Sequence, residues 1–213
     1  MSHYFAWFGL PGTFVLSVLM SVLAVALALF RRSKHRWFCA AAMVISTLGD
    51  VFMTRFMDID EIFPNYFVIG AVLFMIAHVM YCLCYRTLIK QKGFRVFNGG
   101  VIAAQIIAAV CVVYFSAVCI RRQSLSIFPL AMVYLCAISS SCSMIYSYTW
   151  SEFKRRPLVI FASIGAVSLF LSDLIIGLDA MAGVTQFNYL IWWLHPIGQI
   201  LIILSAEPGR KKA

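Results

Sequence analysis

Residues 66–85 read YFVIGAVLFMIAHVMYCLCY, a run with no lysine, arginine, aspartate or glutamate. A helix that crosses a bilayer needs ~20 mostly apolar residues, and this stretch supplies them without a break. Outward from it, six more runs have the same character: 11–30, 37–54, 97–119, 127–149, 158–178 and 189–206. They are continuous, without the alternation of apolar and polar residues that marks strands of a membrane barrel. The expected fold is all-α, a polytopic membrane helix bundle of seven spans. The loops are short and no repeat or linker divides the chain, so residues 1–213 are expected to form a single integral-membrane helical domain.

Composition agrees. The chain is 63% hydrophobic and 12% charged, with a mean hydropathy of +0.93, against roughly 45–50% apolar and ~25% charged residues in soluble proteins. A soluble globule of this size has no interior large enough to hide that much apolar surface. Soluble enzymes, nucleic-acid binders and disordered chains are thereby excluded. The net charge of +9 does not restore nucleic acid as a partner, because the basic residues cluster between the apolar runs. With the N-terminus outside, residues 31–36, 86–95, 151–157 and the tail lie inside and carry +4, +4, +2 and +2. The outer segments 1–10, 55–65, 120–126 and 179–188 carry 0, −2, +2 and −1. Lysine and arginine favour the cytoplasmic side, which sets this orientation. The first 30 residues lack a basic segment ahead of their apolar run, so no cleaved signal peptide is expected. The seven cysteines all fall in apolar runs without metal-ligand spacing and are expected to pack rather than ligate. No metal or cofactor is expected.

The spans contain no lysine or arginine, but they hold two carboxylates, Asp50 and Asp173, and two histidines, His78 and His195. An aspartate at a helix centre costs on the order of 2.5–3.5 kcal/mol on the insertion scale, so such groups face a bundle interior and mark function. Asp50 and Asp173 lie on the second and sixth spans, which run the same way. Each falls four to five residues before its span ends, ~6–8 Å inside the boundary at 1.5 Å per residue. His195 lies at a comparable depth on the returning seventh span, and His78 nearer the midplane on the third. At 100° per residue, Ser46, Thr47, Asp50 and Thr54 share one arc. His78, Tyr81, Cys82 and Tyr85 share a face, as do Trp192, His195 and Gln199. Gly165, Ser168 and Ser172 form a small-residue stripe with Asp173 at its edge, where a neighbouring helix can approach closely. The serines 139, 140, 141 and 143 are expected to hydrogen-bond between helices, since no nucleophile elbow accompanies them.

Four segments, in order, carry a family resemblance. Gly49-Asp50 resembles the GD motif of the YhhN (transmembrane protein 86) family, the lysoplasmalogenases. The helix with Gly70, Phe74, His78 and Tyr81 resembles that family's G-x3-F-x3-H-x2-Y helix. Gly165, Phe170 and Ser172-Asp173 are similar to its G-x4-F-x-SD helix, and Gly198-Gln199 through Ser205 to its closing segment. Eight spans are usual in the family where seven are counted here, and His195 stands where its last helix tends to carry an aromatic.

The resemblance implies a hydrolase acting on the vinyl-ether bond of lysoplasmalogens, with a lysophospholipid substrate taken from the surrounding membrane lipids and no obligatory protein partner. A vinyl ether hydrolyses by protonation of its alkene carbon, and water captures the resulting oxocarbenium ion. That chemistry needs an acid kept protonated near neutral pH and a second group to activate water. Burial and a neighbouring carboxylate favour the protonated form of an acid, and paired carboxylates serve a related transition state in glycosidases. Asp50 and Asp173 are the expected catalytic pair, with His78, Tyr81, Gln199 and His195 orienting them or binding water and substrate. A proton-coupled transporter is the alternative, because intramembrane Asp and His chains also relay protons. Spare loops and compact size point to a bacterial inner membrane.

Overall fold

In hydrocarbon every backbone N–H and C=O must pair within its own segment, and the apolar runs accordingly coil into helices. The computed structural model describes residues 6–7, 10–54, 59–95, 99–122, 128–154 and 156–206. In order these form α1 (Gly12–Arg31), α2 (Lys34–Met53), the one-turn α3 (Ile59–Ile62), α4 (Tyr66–Lys92), α5 (Gly99–Arg122) and α6 (Phe128–Glu152). A 3-10 turn at Pro157–Val159 leads into α7 (Ile160–Ala182), and α8 (Asn188–Ser205) follows. Ahead of α1, Ala6–Trp7 pairs antiparallel with Leu10–Pro11 over two residues. Residues 97, 98 and 127 of the expected spans, parts of the outer loops, and the basic residues Arg155, Arg210, Lys211 and Lys212 lie outside the described residues.

Among the described residues, six helices are long and apolar enough to cross a membrane: α1, α2, α4, α6, α7 and α8. The expected span 97–119 falls on α5, whose apolar run is shorter, Gln105–Val118. The chain is a multi-pass membrane protein with an all-helical bundle. Contacts close into a circuit: α1 on α2, α2 on α4, α4 on α6, α6 on α7, α7 on α8, and α8 back on α1. α5 packs outside that circuit, chiefly against α6. Leu19, Val22, Ile106, Val110, Val113 and Trp193 are exposed on outward faces, as a lipid-facing surface requires.

The small-residue stripe on α7 has the partner its composition calls for. A Cβ on Gly165 would stand 2.9 Å from the Gly198 carbonyl oxygen, and one on Gly198 would stand 2.7 Å from Leu169 Cγ. Both distances are too short for a side chain, so the two glycines allow α7 and α8 to meet backbone to backbone.

Two expectations about the helix ends change. α2 begins at Lys34, after a turn in which Arg32 takes a positive φ of 44° and Ser33 is extended. Arg36 is therefore a helical residue, 2% exposed, rather than part of a cytoplasmic loop. Its guanidinium donates to the Ile203 carbonyl oxygen near the end of α8, where a cation meets the negative pole of the helix. α7 also runs on to Ala182, which leaves Asp173 nine residues before its helix end, while Asp50 is three before the end of α2. The two carboxylates thus differ in distance from their helix ends, and Asp173 is the deeper by that measure.

Gly198→Ala is expected to destabilise the bundle by ~1–3 kcal/mol, as overpacking does. Thermal unfolding of the detergent-purified protein would show it as a lowered Tm.

Candidate functional site

Each helix of the circuit turns a polar side chain inward: Ser17 from α1, Asp50 from α2, His78 from α4, Ser141 from α6, Asp173 from α7, and His195 with Gln199 from α8, all buried. They sort into two groups built around the two aspartates.

The first group joins α4, α6 and α7. His78 Nε2 lies 3.1 Å from Asp173 Oδ2, and His78 Nδ1 lies 3.0 Å from Ser141 Oγ. Ser141 Oγ also lies 2.9 Å from the Ile138 carbonyl oxygen, so its hydroxyl stands between a carbonyl and the imidazole. One proton is shared between Nε2 and Asp173 Oδ2. The Asp173–His78 pair therefore holds a proton between two acceptors. The Tyr134 phenol faces the same carboxylate, and its ring meets that of His78 edge-on at 5.9 Å. Asp173 Oδ1 accepts no hydrogen bond of good geometry.

The second group joins α1, α2 and α8. Ser17 donates its hydroxyl to Asp50 Oδ2, and Ser21 and Thr47, one turn on, are 2.7 Å apart. Asp50 Oδ1 is 3.7 Å from His195 Nε2, close enough for attraction and too far for a good hydrogen bond. The Gln199 amide nitrogen reaches Ser46 Oγ at 2.9 Å and His195 Nε2 at 2.8 Å. It ties α8 to α2 and fixes the His195 ring beside Asp50. Pro196 withdraws one N–H from the α8 ladder beside this histidine.

The groups adjoin through Phe74, whose ring stands 5.5 Å from that of His195 while also lining a cavity at Asp173. That cavity, about 70 Å³, lies among α4, α6 and α7 and is walled almost wholly by apolar side chains. A site of this kind can deliver a proton on one side and accept one on the other. Among the described residues, no group of three or more His, Cys, Asp or Glu side chains converges as a metal set.

The structure brings Asp50, Asp173, His78, His195 and Gln199 to the interior. Tyr81 is buried as well, but its hydroxyl donates to Met43 Sδ at 2.9 Å, and its ring neighbours His78 at 6.3 Å. On α4 the buried face passes through Cys84 rather than Cys82. Sequence reasoning missed Ser17 and Tyr134. For Ser17 the signal was its spacing of four from Ser21 in an otherwise apolar run; for Tyr134 it was its place two turns before Ser141 on the same face. Ser141 does join helices, as expected of the serine run, and it does so at a candidate catalytic histidine.

Ser141→Ala would leave a buried imidazole nitrogen without its hydrogen-bond partner, at ~1–3 kcal/mol. Ser140→Ala, which removes a hydroxyl bonded only within α6 on an exposed face, is expected to leave stability nearly unchanged. Comparing the two Tm values in detergent checks the pair.

The model of the YhhN family matches residues 12–206, from the start of α1 to the end of α8. No curated protein and no solved structure matches the chain. The matched segment contains both aspartates, both histidines and the Gly165–Gly198 contact that brings α8 to them, and the chain belongs to the YhhN family.

Proposed function

We propose that the protein is a membrane-embedded ether hydrolase, a lysoplasmalogenase, which cleaves the vinyl-ether bond of alkenyl-glycerophosphoethanolamine or alkenyl-glycerophosphocholine to a fatty aldehyde and the glycerophospho-base. The reading rests on one observation above all: two buried aspartates on α2 and α7, each facing its own histidine, in a membrane bundle of this family. Spare loops support a bacterial inner membrane as its location. The reaction needs no metal or cofactor.

The two groups suit different halves of the chemistry. The Asp173–His78 pair holds a proton beside an apolar cavity, so we assign it as the acid that protonates the alkene carbon. Asp50, which receives only the Ser17 hydroxyl and stands off from His195, is assigned as the base that takes a proton from the attacking water. Addition of water to the oxocarbenium ion gives a hemiacetal. Its hydroxyl proton returns to the Asp173–His78 pair while Asp50 gives its proton to the departing glyceryl oxygen, and both groups are reset as the aldehyde leaves. His195 and Gln199 would hold the water, and Tyr81 would back the His78 ring. A developing cation between fixed carboxylates in a low-dielectric interior is the charge arrangement that such a site stabilises.

The test is aldehyde release by detergent-purified protein from 1-alkenyl-lysophosphoethanolamine, with the 1-acyl and 1-alkyl analogues beside it. Aldehyde is expected from the alkenyl lipid alone. Asp50→Asn and Asp173→Asn are each expected to lower kcat by ~10²–10⁴-fold, the range for a general acid or base. Release that survived both substitutions would sink the catalytic pair, and no release from folded protein would sink the hydrolase. Detergent removes the gradient that a proton-coupled transporter would need, so turnover there separates the two readings.

A further inference from the structure

The cavity at Asp173 runs toward the outer ends of α4, α6 and α7, between Phe67, Ala71 and Phe74 on one side and Leu130, Ile138 and Phe170 on the others. Beside it, a second hollow opens between the outer ends of α4 and α6, lined by Pro64, Asn65, Phe67, Val68, Met75, Pro129, Leu130 and Val133. Phe67 and Leu130 line both. These two side chains are the partition between the membrane-facing hollow and the cavity that holds the carboxylate.

We propose that this passage binds the single aliphatic chain of a lysolipid, admitted from the bilayer between α4 and α6 past Phe67 and Leu130, with the polar linkage at Asp173. The inference deepens the hydrolase reading and rests on it for the identity of the linkage; the chain site itself rests on the geometry. Three observations carry it. The walls are apolar, and the surroundings at this depth are lipid, so an aliphatic chain is the ligand with the right chemistry. Asp173, 8% exposed, is the one carboxylate among the residues that line the cavity, a single polar anchor for an otherwise apolar ligand. The cavity, about 70 Å³, is far below the ~300–1,000 Å³ of pockets that enclose whole drug-sized ligands. It has room for a narrow segment of one chain beside the carboxylate, and selection for lipids with one chain follows from that small volume. The opening lies at the end of the bundle opposite Arg36, Lys92 and Glu152, so the lipid comes from the leaflet away from the basic helix ends.

The test uses the full chain in lipid nanodiscs and a 1-O-alkyl lysophosphoethanolamine with a diazirine on its chain a few carbons from the ether oxygen. This saturated ether lacks the double bond that the proposed reaction consumes, so binding is read without turnover. After photolysis, adducts are expected on the segments 67–74 of α4 and 130–138 of α6, and unlabelled lysolipid should compete where diacyl phosphoethanolamine does not. Leu130→Trp, at a partly exposed position that tolerates bulk, should cut the labelling by about tenfold or more, while Leu130→Ala should keep it. Adducts confined to outward faces such as that of α5, equal competition by the diacyl lipid, or undiminished labelling of Leu130→Trp would each overturn the chain site. Aldehyde release measured in parallel separates the two ideas. Labelling of the passage without aldehyde would leave the chain site and remove the hydrolase; aldehyde without labelling would do the reverse.

Discussion

Where Gly165 of α7 meets Gly198 of α8, the backbones are so close that a methyl group on either glycine would stand within 2.9 Å of the other's carbonyl oxygen. Much of the interior depends on that approach. Gln199 follows Gly198 directly, and its amide bonds α8 to Ser46 of α2 and to His195 one turn earlier. Four residues on from Gln199, the Ile203 carbonyl receives the Arg36 guanidinium from the far end of α2. A bulkier α7 face would push α8 outward, and these reaches across the bundle would open together. In hydrocarbon that loss is severe, because no water stands ready to replace a broken hydrogen bond.

The bundle is uneven along its length. The fully buried large side chains, among them Met43, Tyr85, Leu88, Ile89, Ile145, Tyr148, Ile202 and Ile203, gather in the half that carries the basic helix ends. There Lys92 and Glu152 pair at 3.2 Å between α4 and α6, the Glu152 side chain only 2% exposed, and Tyr85 bonds across to Ser205. The other half holds the aspartates and the cavity. Close packing leaves little space at the basic end, and the cavity lies toward the opposite ends of α4, α6 and α7.

Much of this was legible in the sequence because the membrane makes the rules strict. Long apolar runs gave the helices, and a charge inside one had to mean a partner, so Asp50, Asp173, His78 and His195 stood out at once. The small-residue stripe on α7 gave the helix contact. What stayed hidden were the pairings. Hydroxyls such as Ser17 and Ser141 look the same in a span whether they bond back to their own helix, as Ser140 does to Cys136, or reach a carboxylate or an imidazole on another. Periodicity assigns a face and leaves its partner open, which is why Tyr81 shares a face with His78 and still gives its hydroxyl to Met43. Arg36 was hidden for a different reason. Its charge placed it with the loop, and only the two-residue turn at Arg32 and Ser33 brings the helix start early enough to bury it.

Those hidden pairings decide how the two aspartates differ. By residue type they are equivalent, two carboxylates on parallel helices with a histidine each. The difference comes from the neighbours of the histidines. Ser141 stands between the Ile138 carbonyl and His78 Nδ1 and so turns Nε2 onto Asp173 at hydrogen-bond distance. Gln199 holds His195 Nε2 at 2.8 Å, while Asp50 stands 3.7 Å from the same nitrogen. One serine and one glutamine thus place two like carboxylates in different surroundings. Paired acids divide their roles through environment rather than identity, and here that environment is two side chains that carry no charge.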